Sequence, residues 1–268
     1  MKNRLCEVLG VRYPIIQGGM AWSTDATLAA AVSNGGAAGI IGTGGRPTEW
    51  VEEEIKKAKT LTDRPFGINL MLMAPNVEEI AELALREKVA FVTTGAGSPL
   101  PWIERMHQGG VKVIPVVPNV KLAKRIASSG ADALIIEGME AGGHIGTMTT
   151  MALLSNVLRE AYPIPVLAAG GISDGRAMAA ALLMGADGVQ MGTRFLLTTE
   201  CPVHEKTKEM ILNATDTDCV VTGYSRNMGV RCLANDFTRQ YLEAEISGAP
   251  KETLLAMGTG RSRKGMQE

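Results

Sequence analysis

Eight short apolar runs recur through the first 191 residues, and most end in a turn rich in glycine or small polar residues. They are Tyr13–Gln17, Ala37–Gly42, Phe66–Leu70, Phe91–Thr94, Lys112–Val117, Ala133–Glu137, Val166–Ala169 and Gly188–Met191. Their hydrophobicity is nearly continuous, as in strands buried on both faces of a parallel sheet. Amphipathic stretches lie between them: Glu49–Thr60, Val77–Glu87, Pro101–Gln108, Val120–Ser128, Met151–Ala161 and Gly175–Met184. Strand and helix in alternation imply right-handed crossovers around a parallel sheet. Eight such units predict an α/β fold, a (β/α)8 TIM barrel. The alternative is a doubly wound open sheet. That fold concentrates its glycines in the first turn. Here they mark most strand ends: Gly18-Gly19, Gly42, Gly95, Gly97, Gly138, Gly170-Gly171 and Gly192.

Helix starts follow from Pro47-Thr48-Glu49 and Ser173-Asp174-Gly175, which offer capping side chains. The barrel is expected over residues 1–199. Residues 200–268 read as a small, mostly helical appendage near the barrel mouth. Its helices are expected near Glu205–Asn213 and Asp236–Ile246, with a polar stretch to Arg231 between them.

A net charge of −1 argues against a nucleic-acid binder that relies on global charge. No window reads as a membrane span, and the first residues lack the apolar core of a signal peptide. Cys6, Cys201, Cys219 and Cys232 are far apart and give neither zinc-ligand spacing nor a disulfide framework. Free thiols and a cytoplasmic location are the expectation. Asp216-Thr-Asp218 is too sparse for a metal site, so none is expected.

In such a barrel the chemistry sits at the C-terminal strand ends. The sixth run leads into Glu137-Gly-Met-Glu-Ala-Gly-Gly-His-Ile-Gly146, which holds His144, one of three histidines in the chain. Imidazole trades protons near neutral pH, and Gly142 and Gly143 would let a flat group approach the backbone. The turns after runs seven and eight carry Gly170, Gly171, Gly192 and Thr193, suited to an anion. A helix starting near Gly175 would add the positive end of its dipole. Gly19, Met20, Asn69, Thr94, Glu137 and Gln190 stand at other strand ends, where they could bind the edge of a ring and a polyol chain. Gln17 and Asn69 read equally well as strand-end caps. One phosphate plus a planar ring suggests FMN, since no dinucleotide fingerprint is present.

Together these segments resemble a known family. The combination is Tyr13-Pro-Ile-Ile-Gln-Gly-Gly-Met20, Phe66-Gly-Ile-Asn69, Thr93-Thr-Gly-Ala-Gly97, Glu137–Gly146, Ala169-Gly-Gly-Ile172 and Gln190-Met-Gly-Thr-Arg194. It resembles the nitronate monooxygenase/2-nitropropane dioxygenase superfamily, and within it the FMN-dependent enoyl-acyl-carrier-protein reductase II enzymes. The resemblance implies FMN, NADH or NADPH as hydride source, and an enoyl thioester on acyl carrier protein or CoA as acceptor. It implies that His144 is catalytic and that the protein is a homodimer. It also implies a Gly-rich segment beyond Gly260 that returns to the flavin; the sequence stops at Glu268, so the expectation is either a C-terminally shortened sequence or an incomplete rim. Alternatives are nitronate oxidation on the same fold, a flavin-free phosphate-sugar lyase or isomerase barrel, and an FMN-binding regulator.

Among lesser candidates, His107 reads as structural and His204 as surface or acyl entrance. Trp22 and Met73 wall the flavin or simply pack. Arg226, Arg231, Arg261, Arg263 and Lys264 would meet a carrier protein or a nicotinamide phosphate, with solvated charge as the ordinary alternative.

Overall fold

The computed structural model describes residues 3–160 and 162–268. Its strands are β1 Ile15–Gln17, β2 Gly39–Gly42, β3 Phe66–Met71, β4 Phe91–Gly95, β5 Lys112–Val117, β6 Leu134–Glu137, β7 Gly143–His144, β8 Val166–Ala169, β9 Gly188–Met191, β10 Cys219–Thr222 and β11 Val230–Leu233. Its helices are α1 Arg4–Leu9, α2 Ala26–Asn34, α3 Thr48–Leu61, α4 Val77–Arg86, α5 Leu100–Gln108, α6 Val120–Ala127, α7 Thr150–Leu158, α8 Gly175–Leu183, α9 Thr193–Leu196, α10 Glu205–Asn213, α11 Asp236–Ile246, α12 Lys251–Gly258 and α13 Arg261–Gln267.

Eight strands form one parallel sheet in the order β1-β9-β8-β6-β5-β4-β3-β2. A parallel bridge between Ile16 and Ala38 joins its two edges and closes a TIM barrel. All eight expected strands are present, with ends displaced by at most two residues. The helix expected over Met151–Ala161 is α7, and Ala161 lies outside the described residues. Five helices went unread: α1, α2, α9, α12 and α13. α2 is so alanine-rich that its apolar face lacks contrast, and α1 precedes the first strand.

The period-two alternation of the strands sorts the core. Ile16, Ile40, Phe91, Ile114, Ile135 and Leu167 fill the barrel interior, where Leu5 and Leu9 of α1 join them. Ile41, Ile68, Val92, Val113, Leu134, Ile136 and Ala168 face outward against the helices. Thr48 is not the cap expected for α3: Pro47 holds that position, and the Thr48 hydroxyl donates to Glu79. Asp174 does cap α8, accepting from Ala177 N at 2.9 Å.

The appendage is mostly helical, but the stretch read as merely polar folds as a hairpin. β10 and β11 pair antiparallel, and β11 pairs with β7. The signal was in the sequence: Cys-Val-Val-Thr and Val-Arg-Cys-Leu flank a turn with Gly223, Asn227 and Gly229. Leu28, Val32, Leu196, Cys201 and Val203 form the apolar cluster beneath α2, α9 and the start of the appendage. Among the described residues no helix is long and apolar enough to cross a membrane.

The seam between β1 and β2 is thin. Backbone bonds there run from Gln17 N to Ala38 O and from Ala38 N to Ile15 O, both 2.9 Å. The fully buried Gln17 side chain supplies the next rung, accepting from Ile40 N at 2.9 Å. Its amide also donates to Gly18 O. Gln17 is therefore a structural acceptor whose carbonyl oxygen is committed to the seam. Replacing it strands a buried N–H, which costs about 1–3 kcal/mol. Gln17→Met is expected to lower the unfolding free energy by that amount, read as a lower urea midpoint at unchanged slope. An unchanged midpoint would show that the seam does not depend on this side chain.

Candidate active site at the barrel mouth

The C-terminal ends of the eight strands open on one face, and the loop after β6 crosses it. Gly138 packs so closely on α7 that a Cβ there would lie 2.1 Å from Thr150 Oγ1. Glu140 accepts from Thr150 N at 2.8 Å and from Thr150 Oγ1 at 3.0 Å. The same hydroxyl lies 3.0 Å from Gly170 O and 3.2 Å from Ala169 O. The loop is thus fastened to the end of β8. Further along, a Cβ on Gly142 would come within 3.9 Å of Thr193 Oγ1, beside the turn after β9.

From there the chain runs through β7, where the hairpin holds it. Gly143 pairs with Arg231 and His144 with Val230. Ile145 N donates to Gly229 O at 3.0 Å. Arg231 Nε donates to Met139 O at 3.0 Å, so this arginine grips the loop and is not a free surface charge. The His144 imidazole is exposed and makes no hydrogen bond to a described residue. This short strand fixes the histidine's backbone at the mouth.

Beside it lies an anion cradle. Gly170 and Gly171 both have positive φ, +96° and +72°, a pair of conformations that side chains resist. The backbone N–H groups of Gly171, Gly192 and Thr193 have no acceptor among the described residues. At the start of α8 the Asp174 carboxylate accepts from Ala177 N, so its negative charge offsets the positive end of that helix. The turn amides make up the rest of the cradle.

The other expected residues surround this cradle. Met20 reaches toward Gly192, where an added Cβ would meet its Sδ at 3.5 Å. Gln190 lies under Gly18. Gly19 packs over Asn69, leaving no room for a Cβ. The Asn69 amide donates to Thr93 Oγ1 at 3.1 Å. Thr94, next along β4, is buried. A Cβ on Gly143 would meet nothing within 4 Å, so space is open there for a ligand. His204 caps α10, accepting from Lys206 N, and His107 pairs with Asp132 at 2.8 Å on the far side. Met73 is 79% exposed. Two open depressions, one lined by His107 and Gly130 and the other by Lys59 and Lys88, lie at the N-terminal ends of the strands, away from this face.

Glu137 ends β6 in the middle of the assembly. Its carboxyl makes no hydrogen bond to a described residue, and burial pushes its pKa up to about 7 from 4.5. The raised value has a consequence for stability. The protonated form is the one the fold tolerates, so the stabilising contribution is complete below pH 4.5 and is lost as pH rises through about 7. Glu137→Gln cannot ionise. In cofactor-free protein its melting temperature is expected to match wild type at pH 4 and exceed it at pH 8.5 by on the order of 5 °C. Parallel melting curves across that range would contradict the assignment.

Residues 2–84 and 80–267 match the nitronate monooxygenase family. The chain is 41% identical over 266 residues to (3aS,4S,5R,7aS)-5-hydroxy-7a-methyl-1-oxo-octahydro-1H-indene-4-carboxyl-CoA dehydrogenase of Rhodococcus jostii RHA1, covering 99% of this chain and 74% of that protein. It is 33% identical over 303 residues to a probable nitronate monooxygenase of Staphylococcus haemolyticus, covering 94% and 84%. The solved structure of FabK from Thermotoga maritima superposes with a TM-score of 0.95 at 43% identity, over 99% of this chain and 85% of that one. The family match over nearly the whole length and these relatives place the chain in the nitronate monooxygenase family of flavin-dependent oxidoreductases.

Proposed function

We propose that this protein is an FMN-dependent enoyl-acyl-carrier-protein reductase that uses NADH or NADPH to saturate the 2,3-double bond of an enoyl thioester. The observation that carries the reading is His144, strapped beside an open glycine cradle in a chain so close to FabK, an enoyl-acyl-carrier-protein reductase II. The name of the Rhodococcus relative also describes a CoA thioester. In this reading the protein is a cytoplasmic homodimer.

The mouth fits FMN. The amides of Gly171, Gly192 and Thr193 would hold its single phosphate, and the open space at Gly143 would admit its ring. Glu137, half protonated near neutral pH, would donate a hydrogen bond to a ring acceptor. When bound, FMN supplies hydride transfer, taking two electrons from the nicotinamide and giving them to the β-carbon of the enoyl thioester.

The chain's own contribution is electrostatic and protic. As hydride arrives, negative charge spreads over the thioester oxygen and the α-carbon. A protonated His144 stabilises that charge by donating a hydrogen bond and then delivers the α-proton. Its pairing with Val230 and the Arg231 grip on Met139 fix the loop, so that little ordering is left for the moment of reaction.

The Staphylococcus relative favours a second reading, oxidation of alkyl nitronates by FMN and O2. The same histidine would then act as a base toward a nitroalkane. Two assays on the purified protein separate these: NADH oxidation with crotonyl thioesters, and O2 uptake with propyl nitronate. The first is expected to dominate. His144→Ala is expected to keep the flavin spectrum and lose about two to four powers of ten in thioester reduction. Turnover near wild type in that variant, with flavin bound, would remove His144 from the mechanism.

A further inference from the structure

A second charged feature stands on the same rim and takes no part in the chemistry described so far. Arg46 lies in the turn after β2. Its guanidinium carbon sits 4.3 Å from the ring centroid of Trp22 and 4.2 Å from that of Trp50, so it is sandwiched between two indoles. Trp22 belongs to the loop after β1, where it takes an unusual positive φ of +68°. Gly45 leaves the room it needs: a Cβ there would lie 2.8 Å from the Trp22 ring. Arg263 of α13 stacks on Trp22 as well, at 5.2 Å. The stack therefore runs Trp50, Arg46, Trp22, Arg263.

The two cations are held without being neutralised. Neither guanidinium forms an ion pair with a carboxylate among the described residues. Arg46 Nε is buried with no hydrogen-bond partner among the described residues. Among the described residues the guanidinium's one acceptor is Trp22 O, 3.5 Å from Nη2, the outer limit of such a bond. Burial and the charge of Arg263 both oppose the protonated form of Arg46, and Glu54 and Asp25 offset this from a distance. Those carboxylates are already engaged, Glu54 with Ala26 N and Asp25 with Leu28 N. Like charges brought together, stiffened by stacking and left without a counter-ion form a site prepared for a doubly charged anion.

We propose that Arg46 and Arg263, laminated by Trp22 and Trp50, form a rim subsite for a phosphate monoester at the tail of a long co-substrate. The turn after β2 that carries Arg46 opens on the same face of the barrel as the loop after β6 that carries His144. Such an ester exists in two ligands of the proposed reaction, the 2′-phosphate of NADPH and the 3′-phosphate of CoA. The proposal rests on the reductase reading for the identity of its ligand, but binding alone tests it.

The experiment is calorimetry on the flavin-loaded protein with two matched pairs, NADP+ against NAD+ and CoA against 3′-dephospho-CoA. In at least one pair the ligand bearing the monoester is expected to bind about tenfold more tightly or better. That ratio should fall toward one in Arg263→Gln, an exposed position whose change leaves the fold intact, and in Arg46→Met. Affinity for the partner lacking the monoester should stay the same in both. The pair that responds identifies the source of the phosphate. A ratio near one in both pairs, or a ratio untouched by both substitutions, overturns the proposal. So does a result in which only binding of an acidic carrier protein weakens. If the monoester preference is found and no thioester is reduced, the subsite stands and the reductase reading falls.

Discussion

Closure of the strand ring is the condition on which this molecule depends. Parallel strands that end on one face bring eight separate loops to a common mouth, but only if the first and last edges of the sheet meet. Here they meet through a short bridge at Ile16 and Ala38 and through a side chain, the buried Gln17, that stands in for a backbone carbonyl. A buried N–H with no acceptor is expensive, so Gln17 is constrained by the seam before any ligand is considered. The same closure sets Gly19 over Asn69 and Gly18 over Gln190, at the origin of the mouth.

On that frame the appended residues act as a brace. The loop after β6 leaves the barrel and would be mobile on its own, because glycines cost backbone entropy to fix. It is fixed at both ends. Glu140 and Thr150 tie its root to α7 and β8, and the hairpin takes its tip into a three-stranded sheet. The histidine is consequently exposed to ligands while its backbone is ordered. Exposure and order usually oppose each other in a loop, and here they are reconciled by lending the loop two residues of strand.

The barrel was legible because burial on both faces leaves a strong signal: eight apolar runs separated by amphipathic helices. His144, Glu137 and the Gly170–Gly171 and Gly192–Thr193 turns were legible for a related reason, since they sit at strand ends whose ordinal places carry meaning. What local pattern could not show was long-range. Gln17 looks like any polar strand end until Ile40 N is placed against it. Arg231 looks like a solvated charge until Met139 O is found 3.0 Å away, 92 residues back in the chain. Arg46 and Arg263 are separated by most of the sequence, and nothing in either neighbourhood announces a shared indole. At the start of α8, Asp174 was recognised as a cap without drawing the consequence that a capping carboxylate weighs against a second anion there.

The charge pattern at the mouth follows from these placements. One half of the rim binds anions through uncharged amides of Gly171, Gly192 and Thr193, where no side-chain charge needs to be buried. Another part concentrates two guanidiniums against aromatic faces, which tolerate cations better than aliphatic walls do. Between them Glu137 is the one carboxyl driven toward its neutral form by burial. An ionised carboxylate at that point would oppose every anionic group the surrounding turns are shaped to receive. A neutral one can donate a hydrogen bond, and its burial thus makes the centre of the mouth compatible with its edges.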